Sequence, residues 1–214
     1  MTRAFPLFVF SAAHAVLLCS AVGKPMDSKA AEKLPALRLL VQEVKSGVSL
    51  NDKELALLQE CLHQSDPVLV AVAAWCIERL GSKADELQAK LANIPPSVGD
   101  MARAFVTLAQ ESKRLRSYSN EQRIARYAEL TKDSNPYLRI EAAKALTTVD
   151  PVRGKSVLSE LARKEDKQTQ IDAKRALRAM DVSDQETATA KLPYRDEQYE
   201  TVLSIVDDSS HHSK

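Results

Sequence analysis

The chain has 214 residues, of which 44% are hydrophobic, 28% charged and 5% aromatic, with five Gly and nine Pro. This composition is typical of a globular protein, and it excludes collagen-like, mostly disordered and disulfide-dense classes. The 30 basic and 29 acidic side chains nearly cancel, so net charge gives no reason to expect binding to nucleic acid or to an anionic membrane.

The N-terminal segment has the three parts of a secretory signal peptide. Arg3 supplies an early positive charge, residues 4–18 are mostly apolar, and small residues follow up to Gly23. A charged start, a short apolar core and a small-residue site are what signal peptidases require. We therefore assign residues 1–23 to a signal peptide, with cleavage expected after Gly23 or, as the second choice, after Ala21.

Two alternatives to cleavage stay open. One is an N-terminal membrane anchor, although the apolar stretch is short and interrupted for a bilayer span. The other is a lipid anchor through Cys19, although Leu18 is bulky where a lipidation motif has a small residue. Without residues 1–23 the chain is formally neutral, has no candidate membrane span and contains no Asn-x-Ser/Thr acceptor. We expect a secreted protein, located in a bacterial periplasm.

The first half of the mature chain has the periodicity of four helices, and each has a recognisable start or end. The first, 30–45, buries Leu37, Leu40, Val41 and Val44, and Pro35 is expected to kink or split it. The second helix is expected to begin at a capping box of Asn51 and Glu54. The third is expected to begin at Asp66-Pro67 and to end at Gly81, and the fourth to begin at Ser82.

The second half continues the pattern after a loop at 93–99 that contains Pro95-Pro96. Three helices are predicted at 101–112, 121–130 and 167–180, and a capping box of Ser119 and Gln122 precedes the second of them. Two more helices are expected to begin at Asn135-Pro136 and at Asp150-Pro151. Residues 182–214 form a tail with one short helix at 195–206, which is expected to dock on the last repeat through Tyr199, Val202 and Ile205. No segment alternates with period two, so the fold class is all-α.

Two cysteines, Cys61 and Cys76, remain in the mature chain. In an oxidising compartment they suggest a disulfide. However, the tight turn between their helices places Cys76 about six residues beyond the level of Cys61, roughly 9 Å at 1.5 Å per residue. A disulfide requires Cα atoms within about 7 Å, so two buried free thiols are expected. Cys61, His63 and Asp66 lie close in sequence, but helix positions i and i+2 face different ways, and we predict no metal site.

The helices repeat in sequence. Residues 140–150 align with 171–181 at an offset of 31, and the segment that begins at Asp66 aligns with the one that begins at Asn135 at an offset of 69. Helix pairs of about 31 residues that bury each other's apolar stripes are typical of an α-solenoid.

The motif Asn135-Pro136-Tyr137-Leu138-Arg139, followed by Ala142-Ala143-Lys144-Ala145-Leu146, resembles the HEAT-like repeats of armadillo-type solenoids, especially the phycobilisome-lyase type. The resemblance covers residues 49–181. It implies a short right-handed α-solenoid of HEAT-like helix pairs over 24–181, of a kind that mostly serves as a binding scaffold. Val70 and Gln170 stand where Arg139 stands in its repeat, so the family's inter-repeat Asp–Arg ladder is expected to be mostly absent.

Motifs for catalysis, cofactors or phosphate binding are not recognisable, and the basic cluster at 113–116 is typical of a solvated helix face. We therefore predict a noncatalytic protein-interaction scaffold without cofactor, whose partner is another protein and not a nucleic acid. Two alternatives are an accessory or cofactor-attaching enzyme on the same fold, and a membrane-tethered lipoprotein adaptor.

The candidate partner-binding residues lie on the second helix of each pair, which usually lines the concave side of such solenoids; they are Trp75, Lys144, Arg175 and Arg178. Trp75, the one tryptophan, is either a binding anchor or a residue buried under the 30–45 helix. Burial is favoured because residues 68–76 are all apolar, as in a helix that is surrounded on every side.

The signal peptide leads to a first prediction. N-terminal sequencing of the protein recovered from its native compartment should find a chain that begins at Lys24 or Val22. An intact Met1, or a chain that begins at an acylated Cys19, would contradict cleavage at this site.

Overall fold

A computed structural model of the protein describes residues 28–164, 166–181 and 197–206. All regular elements in these ranges are helical, which confirms the all-α prediction. The predicted signal peptide, residues 1–23, and most of the 182–214 tail lie outside the described residues. The α-helices are α1 (Ser28–Lys45), α2 (Asp52–Leu62), α3 (Pro67–Leu80), α4 (Asp85–Lys90), α5 (Asp100–Leu115), α6 (Asn120–Leu130), α7 (Pro136–Val149), α8 (Pro151–Lys164), α9 (Lys167–Asp181) and α10 (Glu197–Val206).

Two helices begin with the predicted capping boxes. The Asn51 side chain accepts from the backbone N–H groups of Lys53 and Glu54, and the Glu54 carboxylate accepts from the Asn51 N–H at 2.7 Å. Ser119 and Gln122 make the same reciprocal pair at the start of α6. Each box satisfies backbone donors that have no partner inside the helix, which fixes where α2 and α6 begin.

Asx-Pro pairs start two further helices as predicted. The Asp66 carboxylate accepts from the Val68 N–H at 2.9 Å, and the Asn135 side chain accepts from the Tyr137 N–H at 3.0 Å. A proline follows each cap as the first helical residue. It has no backbone N–H, and no hydrogen bond is lost because an N–H at this position would have no partner inside the helix.

Three details differ from the sequence prediction. Helix α1 is continuous through Pro35 and is not split. Ser82 does not cap a helix, because residues Gly81–Ala84 form a 3₁₀ turn and α4 begins only at Asp85 without a side-chain cap. Helix α5 is also longer than predicted, since it extends three residues past Ser112 to Leu115.

The longer helices pack in a regular order. Helices α3, α5, α7 and α9 contact one another in succession, while α2 packs on α3, α6 on α7, and α8 on both α7 and α9. Side chains join neighbouring helix starts: the Asn135 Nδ2 donates to the Asp100 carbonyl at 2.7 Å, and Arg139 Nη2 lies 3.9 Å from the Asp166 carboxylate. This last pair joins an Arg of α7 to the residue before α9.

Helix α3 is the centre of the largest core cluster. All ten residues from Val68 to Ile77 are buried, and α1, α2, α5 and α10 pack around them. The predicted inner face of α1 is confirmed, since its four apolar residues are all buried.

Helix α10 packs elsewhere than predicted. Tyr199, Val202 and Ile205 are buried as expected, but they belong to the core cluster of α3 and α1 rather than to the last repeat. The Tyr199 ring packs against Tyr137 and Phe105, with centroids 5.0 and 6.4 Å apart. Helix α3 offers apolar surface on every side, which the polar α9 does not, and this surface explains the placement.

Both cysteines are buried and carry free thiols, as predicted. Burial raises the pKa of the Cys61 thiol to about 11 and raises the pKa of Cys76 further. Both thiols are therefore neutral at physiological pH, which makes them poor nucleophiles. In the described part of the chain, no helix combines the length and the apolar character that a bilayer crossing requires.

These thiols lead to a second prediction. Alkylation of the unfolded, unreduced mature chain should add two labels, and the folded chain should react far more slowly because its thiols are buried and protonated. Mass spectrometry of both samples measures the label count. An unfolded chain that takes no label without a reductant would show a disulfide and contradict the assignment.

Candidate functional site

A polar cleft of about 620 Å³ opens where six helices meet. Helices α1, α3 and α5 contribute residues from their C-terminal halves, α6 and α7 supply further walls, and the last residue of α10 closes one edge. The lining residues are Val44, Lys45, Trp75, Glu78, Arg79, Leu108, Ser112, Arg123, Tyr127, Glu141, Lys144, Ala145, Thr148 and Val206. We call this surface the α3–α7 cleft.

Trp75 forms part of the cleft wall. Its side chain is largely buried, with the residue 7% exposed, and its ring lies between two cations, Lys45 Nζ at 5.8 Å and Arg79 Cζ at 5.2 Å from the centroid. Cations at this distance are attracted to the indole face. Lys45 ends α1 and Val44 lines the same cleft, so the prediction that the first helix covers Trp75 is confirmed.

Glu141 of α7 connects the cleft wall to α10 through hydrogen bonds. This carboxylate is buried and accepts hydrogen bonds from Lys144 Nζ at 3.0 Å and from the Tyr199 hydroxyl at 2.7 Å. A buried carboxylate is costly unless it is paired, and these two donors stabilise it. The Tyr199 ring is consequently fixed beside the cleft, 58 residues away in sequence from its acceptor.

The charges in the cleft are unbalanced. Four cations line it, on α1, α3, α6 and α7, against the two carboxyl groups Glu78 and Glu141. Burial raises the pKa of Glu78, and the nearby Glu141 carboxylate raises it further, while Arg79 and Lys144 act in the opposite direction. Among the described residues, neither Arg79 nor Arg123 forms an ion pair. The cleft thus has a local positive excess in a chain of net charge +1.

The four residues predicted from the sequence are only partly brought together. Trp75 and Lys144 line the α3–α7 cleft. Arg175 lines a smaller hollow of about 230 Å³ beside Tyr199 and forms an ion pair with Glu200 of α10. Arg178 is exposed and lines neither space. Part of the face expected to bind a partner is therefore covered by the chain's own last helix.

Sequence reasoning missed two important residues of the cleft. Arg79 lies four residues after Trp75 on the same face of α3, and this spacing was a usable signal. Arg123 gives no such signal in sequence, because acidic residues lie near it on α6, and the packing of α6 on α7 brings it to the cleft.

The side chains that line the cleft carry hydroxyl, amine, guanidinium and carboxyl groups, and His and Cys are not among them. Within the described ranges, His, Cys, Asp and Glu side chains do not gather in groups of three or more that suit a metal ion. His63, singled out in the sequence, is exposed, and its Nδ1 donates to the Gln59 carbonyl at 2.7 Å.

Comparisons of the chain with protein-family models, with curated proteins and with solved structures found no match.

The burial of Trp75 leads to a third prediction. The Trp75→Ala change should cost about 3–5 kcal/mol of unfolding free energy, because it removes a large buried ring from the wall of the core. The native emission should be blue-shifted and resist acrylamide quenching. The matched control is Leu39→Ala on the outer face of α1, where the residue is 63% exposed and the expected change is within about 0.5 kcal/mol. Red-shifted, readily quenched emission with little loss of stability would contradict burial.

Proposed function

We propose that this protein is a secreted, periplasmic and noncatalytic protein-interaction scaffold, built as a short right-handed α-solenoid of HEAT-like helix pairs. The observation that carries the proposal is the α3–α7 cleft, an open polar space with a positive excess and an aromatic wall. Such a space offers specific polar and charged contacts to a partner.

The succession of helices supports the solenoid. The N-caps of α3, α5, α7 and α9 are Asp66, Gly99, Asn135 and Asp166, separated by 33, 36 and 31 residues. The helices they begin contact one another in that order, and a second set of helices packs against them. The sequence offset of 69 residues between Asp66 and Asn135 spans α5, which starts after Gly99 without an Asx-Pro pair. This offset is therefore the sum of two unequal spacings, 33 and 36 residues.

The position of the cleft supports partner binding. Its walls come from several successive repeats, so the space exists only in the stacked array, as is usual for the binding surfaces of repeat proteins. The presence of Trp75 and Tyr127 beside arginine side chains adds to this, since Trp, Tyr and Arg are the residues enriched among interface hot spots.

Site-specific photo-crosslinking in the native host tests this function. A photoreactive amino acid placed at Ser112, in the cleft wall, should capture one protein of defined mass. The same group at Val152, which is 83% exposed on α8 and outside the cleft, is the matched control and should capture none.

Loss of the Ser112 adduct in an Arg79→Glu background would support the assignment, because Arg79 lines the same cleft. Equal adducts from Ser112 and Val152, or turnover of a small molecule by the pure protein, would contradict a noncatalytic scaffold that uses this face.

A further inference from the structure

The α3–α7 cleft has a second property, which concerns the chemistry of its occupant. At about 620 Å³ it is much larger than a monatomic or phosphate ion requires. Its cations lie on four different helices. A ligand with several negative groups can pair with more than one of them.

Helix dipoles explain some of these cations but not all. Lys45 is the last residue of α1, and Arg79 lies in the last turn of α3, where positive side chains stabilise helix C-termini. Arg123 is in the first turn of α6, where a cation is unfavourable with respect to the dipole, and it makes no ion pair among the described residues. A structural role does not account for Arg123, whereas an anionic ligand in the cleft does.

The cations of the cleft come from side chains on different helices. Lys45 and Arg79 lie near the C-terminal ends of α1 and α3, and Arg123 lies in the first turn of α6. Separate carboxylates can each pair with one guanidinium group of such an arrangement.

The carboxyl groups of the cleft leave this positive excess in place. Glu141 already accepts from Lys144 and Tyr199, and burial holds the pKa of Glu78 above its ordinary value. Neither group pairs with Arg79 or Arg123. These two guanidinium groups are exposed and half-buried respectively, so an incoming ligand can reach them.

We propose that the α3–α7 cleft binds an acidic segment of a partner protein, in which separate Asp or Glu side chains pair with Arg79 and Arg123. This assignment rests on the proposed function and names the chemistry of the partner that the scaffold recognises. Since the protein as a whole is nearly neutral, recognition depends on the local field of the cleft.

Trp75 is the only tryptophan in the chain and lines the cleft, so its fluorescence reports occupancy directly. The probe is a hexa-aspartate peptide blocked at both ends, and the reference is the hexa-asparagine peptide of the same length. At low ionic strength and pH 7 the acidic peptide should give a saturable change in Trp75 emission. The neutral peptide should give none, and about 0.15 M salt should weaken the response. Equilibrium dialysis provides an independent affinity.

Matched variants locate the binding. The Arg79→Gln/Arg123→Gln variant should bind the acidic peptide about tenfold more weakly, equivalent to about 1.4 kcal/mol. The conservative Arg79→Lys/Arg123→Lys variant should retain most of the binding because it keeps both charges. The control is Arg103→Gln/Lys113→Gln, which removes two exposed charges of α5 outside the cleft and should bind as the unaltered chain does.

Several results would overturn the assignment. These are equal weakening in the cleft and control variants, no binding by either method, and inorganic phosphate binding as tightly as the peptide with the same dependence on Arg79 and Arg123. Asp207 and Asp208 follow Val206 in the sequence. A gain of tenfold or more in peptide affinity on Asp207→Asn/Asp208→Asn would make this chain's own acids the occupant and would also refute a partner segment.

The two proposals can fail separately. If Ser112 crosslinks a single protein but the acidic peptide does not bind, the acidic occupant is wrong and the scaffold function stands. If the peptide binds as predicted but Ser112 and Val152 crosslink alike, the cleft chemistry stands and the scaffold function is wrong.

Discussion

The ten consecutive buried residues of α3, from Val68 to Ile77, impose the constraint on which the rest of the structure depends. A helix that is apolar around its whole circumference cannot lie in a two-layer array with one side in water. Helices α2 and α5 cover two of its sides, and α1 and α10 are recruited from opposite ends of the described chain to cover the others. Two helices from opposite ends of the described residues are therefore held against α3 by the hydrophobic effect.

This arrangement also creates the cleft. Helices α1 and α10 enclose α3 along most of its length, but near its C-terminal end the cover becomes polar, with Lys45 and Val206 at the edge. Trp75 lies at this boundary, where one part of the ring is packed in the core and its face meets cations. A cleft in this position combines an apolar base with charged side chains along its walls.

The sequence predicted what is encoded locally and missed what depends on distant contacts. The caps at Asn51, Asp66, Ser119 and Asn135 were predictable because a cap involves only residues within one turn. The predicted cap at Ser82 does not form, because Ser82 itself lies within the 3₁₀ turn Gly81–Ala84. These interactions are short in sequence and therefore visible to pattern analysis.

The cleft itself required knowledge of the packing. The hydrogen bond from the Tyr199 hydroxyl to Glu141 joins residues 58 positions apart, and the local sequence pattern of neither helix predicts it. The burial of Trp75 was predictable from the apolar run around it, whereas its neighbours Lys45 and Arg123 come from other helices. Trp75 and Lys144, both predicted from the sequence to bind a partner, line the same cleft, but the sequence could not show that Arg175 would pair with Glu200 of α10.

Glu141 connects the two halves of this arrangement. Its carboxylate accepts from Tyr199, which fixes α10, and from Lys144, which lines the cleft. One buried acid therefore both positions a cation of the cleft wall and anchors α10, which explains why Lys144 and Tyr199 are fixed together although they lie on different helices.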